Sequence, residues 1–123
     1  MRSGLVLAAF LALAIGLAHS ILGERYILIR LFRREDLPKL FGSDWFTRRT
    51  LRFAWHLTSV AWWGFAVLLF LLAQESTVSG PAALRVIAAV FLTSALIAAG
   101  ASNGRHLAWL VFLVIGALAL LAI

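Results

Sequence analysis

The stretch "GLVLAAFLALAIGLAHSILGER", residues 4–25, decides what kind of molecule this is. Residues 4–22 contain no Asp, Glu, Lys or Arg, and then Glu24 and Arg25 arrive side by side. About 20 apolar residues are what a helix needs to cross the roughly 30 Å hydrocarbon core of a bilayer.

Outward from this run the pattern repeats. Apolar stretches of similar length occupy 51–73, 82–101 and 107–123. The chain has 123 residues, 63% of them hydrophobic, with a mean hydropathy of +1.01. A soluble domain of this size exposes too much surface to hide so many apolar side chains, so lipid is the expected solvent. Backbone polar groups in lipid must be satisfied within their own segment, which makes each stretch a helix. The expectation is an all-α integral membrane protein of one domain, a four-transmembrane-helix antiparallel bundle. Its spans are 4–22, 51–73, 82–101 and 107–123, with a basic loop at 23–50.

Arg2, the apolar run and "AHS" (18–20) also imitate a secretory signal. His19 and the Gly23-Glu24-Arg25 step read instead as the start of a polar site, so the first helix is expected to be retained.

Charge orients the bundle. Nine of the eleven basic residues lie between Arg25 and Arg52 or at Arg105; only Arg2 and Arg85 belong to the other side. The positive-inside bias then puts the basic loop in the cytoplasm and both termini outside, as in a small bacterial inner (cytoplasmic) membrane protein. Basic, apolar-faced segments such as "YILIRLFRREDLPKLFGSDWF" (26–46) suit the lipid bilayer's anionic headgroups rather than nucleic acid, and the first helix is expected to continue through 26–32 or to bend there into the interface. Ser43 or Asp44 suits the N-cap of a long second helix.

This topology gathers His19, His56 and His106 at one membrane edge. Imidazole is a common ligand of iron, copper and zinc, and bundles build such sites from facing helices. Binding of a transition metal or haem by His19, His56 and His106, with Glu24 as a fourth ligand or as a base behind the ligands, is therefore the first expectation. Arg25, Arg52, Arg105, Ser59 and Asn103 would orient those ligands or bind an anion. Arg52, His56, Ser59 and Trp63 recur at helical spacing as one stripe, and Glu24 is expected to pair with Arg52 or Arg105. No HExxH or CxxCH spacing occurs, and cysteine is absent.

Two other functions fit the same residues. Arg25, Arg52 and Arg105 suit a lipid headgroup or other phosphate, with Glu24 and a histidine available for acid–base work. Alternatively the chain is an accessory subunit of a larger membrane complex or a homo-oligomer, the polar residues merely joining helices. A single interfacial His usually does only that, and no reaction is named by these residues.

Ala8 with Ala12, Ala14 with Ala18, and Ala95 with Ala99 have the spacing of close helix packing. Trp45 and Trp55 suit interfacial belts, Trp62 and Trp63 deeper packing. "NGRHLAW" (103–109) resembles part of the glycine–arginine–histidine–leucine motif in the haem- and quinone-binding membrane-anchor subunits of succinate dehydrogenase. One residue is missing between Gly104 and Arg105, Gly100 falls where that family has a haem histidine, and the helix count differs, so the family's function is not carried over.

Overall fold

The computed structural model describes residues 2–74 and 77–123, with Arg2 described by its backbone alone. The first helix does not stop where the charge begins. α1 (Arg2–Leu22) runs into a π-helical segment, Gly23–Leu28, and closes with one α-helical turn, Ile29–Leu31. The loop drawn from residue 23 thus begins after Leu31, and the continuation expected through 26–32 is found as far as Leu31. No Pro or further Gly interrupts residues 24–37, and Ile27, Leu28, Ile29 and Leu31 continue the apolar run. In the π segment the Ile29 N–H bonds to the Glu24 carbonyl, five residues back. That widened turn re-aims the side chains around Glu24.

α2 (Trp45–Gln74) begins two turns before the expected span, α3 is Gly80–Ser102, and α4 is Ala108–Leu121. At the head of α2 the Trp45 N–H bonds to the Ser43 hydroxyl at 3.4 Å. Asp44 pairs with Arg48 at 2.6 Å, one turn along. Ser79 caps α3 by accepting from the Ala82 N–H, and Asn103 ends it in the left-handed conformation at φ 51°.

Three helical stretches are long and apolar enough to cross a membrane: Ser3–Leu31, Trp45–Gln74 and Gly80–Ser102. α4, at 14 residues, is shorter; at 1.5 Å per residue it spans roughly 21 Å. Burial is inverted relative to a water-soluble protein. Among the described residues the buried apolar side chains are seven alanines with Leu28, Phe53 and Val60, while Leu7, Phe10, Leu11, Phe65, Leu96 and Leu118 are exposed. Small residues inside and large apolar ones outside is how helices pack when the surroundings are as apolar as the core.

The helices form a row. α1 packs on α2, α2 on α3 and α3 on α4, and among the described residues no other pair of these helices touches. The expected compact bundle is therefore replaced by two antiparallel hairpins joined through α2 and α3. Buried small residues recur every seven positions: Ala9, Gly16 and Gly23 on α1 and its π extension, Ser59, Ala66 and Ala73 on α2, Ala88, Ala95 and Ser102 on α3. A seven-residue repeat keeps one stripe against one neighbour along a slightly supercoiled pair. Ala14, expected at a helix contact, faces outward instead.

Two indoles lock the first hairpin. Trp63 lies over Gly16, where a Cβ would strike its ring, and donates to the Leu13 carbonyl at 3.3 Å. Trp55 lies over Gly23 in the same way and donates to the His19 carbonyl at 3.0 Å. Trp55, expected at the lipid interface, is thus a half-buried helix contact.

Candidate functional site

The stripe Arg52, His56, Ser59 and Trp63 faces α1 along its length, because helical spacing stacks these residues on one side of α2. Opposite it stand Gly16, Ser20 and Glu24, at the four-residue spacing of one α-helical face. The resulting array is continuous. The Ser59 hydroxyl is 2.8 Å from the Gly16 carbonyl, and Ser20 Oγ is 2.8 Å from Ser59 Oγ. His56 Nδ1 is 2.9 Å from Ser20 Oγ, and His56 Nε2 is 3.3 Å from Glu24 Oε2. Arg52 Nη2 reaches the other carboxylate oxygen, Oε1, at 2.9 Å.

The directions of these bonds are fixed from one end. A carbonyl only accepts, so Ser59 donates to Gly16. Its single proton is then committed, and Ser20 must donate to Ser59. Ser20 has only its lone pairs left for His56, so Nδ1 is the ring nitrogen that carries a hydrogen. Nε2 lies 3.3 Å from Glu24 Oε2, and a hydrogen bond between them forms only when a proton occupies the gap. Either the imidazole holds it, giving an imidazolium–carboxylate pair, or the carboxyl holds it and donates to the ring. Without it a nitrogen lone pair faces a carboxylate.

The site is semi-enclosed. Arg52, Glu24 and His56 side chains retain 43%, 31% and 30% exposure, enough to meet a small polar group from outside. Ser59 is buried, at 1%. Phe32, just beyond the first helix, lies under the Arg52 guanidinium at 4.9 Å. Arg52 Nε is buried without a hydrogen-bond partner. An apolar groove of about 440 Å³ between α2 and α3 includes Trp63 and Arg85 but none of the residues in the Glu24–His56 array.

The other expected site residues lie elsewhere. His19 stacks on Trp55, ring centroids 4.5 Å apart, and meets the edge of Trp62 at 4.9 Å. Its Nε2 is buried with no partner. His106 stacks on Phe46 at 5.6 Å and meets Phe53 edge-on at 5.1 Å. Its Nδ1 accepts the Ala108 N–H, and its own N–H is received by Ser102, so it closes the turn into α4. Arg25 lies over its neighbour Tyr26, Arg105 over Trp45, and Asn103 is exposed at the end of α3.

The three-histidine convergence expected from topology is accordingly not formed. Among the described residues no group of three His, Cys, Asp or Glu side chains lies together as a metal would require. The reason is helical phase. His56 belongs to the α2 stripe that faces α1, whereas His106 packs on Phe46 and Phe53, seven residues apart on a different stripe. Shared depth does not imply a shared face. Ser20 and Gly16 are the participants missed as site residues in the sequence; Ser20's four-residue spacing to Glu24 was the available signal.

Compared with known proteins, the chain matches no family model, no curated protein sequence and no solved structure.

Proposed function

We propose that this is a small integral membrane protein whose first hairpin carries a proton-exchanging acid–base site, formed by Glu24 and His56 at the cytoplasmic edge. The observation that carries the reading is the one-way hydrogen-bond chain from His56 through Ser20 and Ser59 to the Gly16 carbonyl. It holds Nδ1 protonated and leaves Nε2 and Glu24 to share a single proton. A base oriented by a fixed partner on its far nitrogen is the arrangement acid–base catalysts use. Arg52 steadies the carboxylate from its other oxygen, and the partial exposure of Glu24 and His56 lets a polar group approach from the headgroup layer. The cytoplasmic placement rests on the basic residues concentrated at this end of the helices.

The test is nitrogen NMR of the His56 ring in nanodiscs, with metal analysis of the same protein prepared without a histidine tag. The expected result is a proton on Nδ1 at every pH at which the fold persists. Glu24→Gln should change the Nε2 signal and leave the Nδ1 proton in place. A bare Nδ1 overturns the reading. One transition metal or haem near stoichiometric amounts also overturns it, in favour of coordination by His56 and Glu24 with His19 or His106 drawn in.

A further inference from the structure

A second polar cluster lies at the head of α2, N-terminal to Arg52, and does not depend on the acid–base reading. The Trp45 ring, at the head of α2, carries two guanidinium groups: Arg105 at 5.0 Å from its centroid and Arg49 at 5.5 Å. Tyr26 also holds two, Arg25 and Arg30, but both come from its own helix, so local spacing explains them. Arg105 arrives from the turn between α3 and α4, which tertiary packing brings to Trp45.

The two charges on Trp45 lie within about one Debye length (~10 Å) of each other. Among the described residues neither Arg49 nor Arg105 takes part in an ion pair. The adjacent carboxylate, Asp44, is engaged by Arg48 at 2.6 Å. Held on one ring without a counter-charge, two guanidiniums repel; an anion offering several oxygens removes the repulsion and matches their forked donors.

The surface beside them is apolar and strained. Phe41 is 86% exposed and sits at φ 56°, a left-handed backbone rarely adopted by a bulky side chain. The paired Leu40 and Ser43 backbones hold that turn. Phe41 meets Phe46 edge-on at 5.3 Å, and Phe46 stacks on His106, the neighbour of Arg105. An exposed aromatic tip and an unneutralised arginine pair therefore share one patch. α2 has 30 residues, so at 1.5 Å each it is roughly 45 Å long against a core of about 30 Å. Its first turns reach headgroup level.

We propose that Trp45, Arg49 and Arg105 bind the phosphate of an anionic phospholipid, with Phe41 inserted among the neighbouring acyl chains. The lipid ties the α3–α4 turn to the head of α2.

The test uses the full chain in detergent. Phosphatidylglycerol or phosphatidylcholine is added, and the rise in Tm and the lipid retained in native mass spectrometry are read. Phosphatidylglycerol should raise Tm and be retained, phosphatidylcholine should not. Arg105→Gln should weaken phosphatidylglycerol about fivefold, as loss of one basic contact does. Arg49→Lys with Arg105→Lys keeps the charge and the fold but loses the forks, and should weaken it to a lesser degree. Arg33→Gln, which removes an exposed arginine of the loop that carries Phe41, should leave binding intact. Equal weakening by Arg33→Gln, full binding by Arg105→Gln, or the same rise in Tm from inorganic phosphate alone would overturn the proposal.

Discussion

Ser20 donates its hydroxyl hydrogen to Ser59 across 2.8 Å, and this one direction determines which nitrogen of His56 carries the ring hydrogen. Ser59 cannot return the bond because its own hydrogen is committed to the Gly16 carbonyl, 2.8 Å away. Two serines on different helices thus act as a tautomer lock.

Ser59→Ala should release that lock. Ser20 is then free to donate to His56 Nδ1, and the neutral ring moves its hydrogen to Nε2, toward Glu24. Nitrogen NMR of the His56 ring reads the change directly, and an unmoved Nδ1–H would refute the directional argument. Losing the buried hydroxyl and its bonds should cost about 1–3 kcal/mol.

Gly16→Ala and Gly23→Ala should each separate α1 from α2, since the new methyl group meets the Trp63 or Trp55 indole. Overpacking of this kind costs typically about 1–3 kcal/mol. Thermal unfolding measures it, and replacing the facing tryptophan with Phe should recover part of the loss. Alanine tolerated without change at both positions would contradict this packing.

His106→Ala should lower stability without altering the His56 ring signals. His106 supports the turn into α4 through Ser102, Ala108, Phe46 and Phe53, and it touches no member of the Glu24–His56 array. A shift of the His56 signals in this variant would link the two sites and revive a shared ligand.

Asp44 supplies a pH dependence at the head of α2. The hydrogen bond from Arg48 holds its carboxyl below the usual carboxylate range. A lowered folded pKa adds stability that is present above the unfolded value, about 3.9, and lost as pH falls through the folded one. Wild type should therefore exceed Asp44→Asn slightly in Tm at neutral pH, and the gap should close below about pH 4. The effect is small because exposed ion pairs contribute little. A gap that widens on acidification would reverse the sign and exclude this cause.

The sequence by itself indicated the helical character, four apolar stretches of which three are long enough in the structure to cross a membrane, the segregation of charge and the stripe Arg52–His56–Ser59–Trp63. All of these follow from local composition and the 3.6-residue period. It also paired Glu24 with a short choice of arginines, of which the structure selects Arg52. Tertiary structure decided the rest. Whether the histidines meet depends on the relative phase of separate helices, which no single helix encodes. Whether Ser20 counts for anything depends on Ser59, 39 residues away, standing opposite it. The π segment shifts the register at Gly23–Leu28, and the residues Gly23 and Gly16 matter only because indoles from α2 occupy the space a Cβ would fill. Facing partners exist only once two helices are side by side.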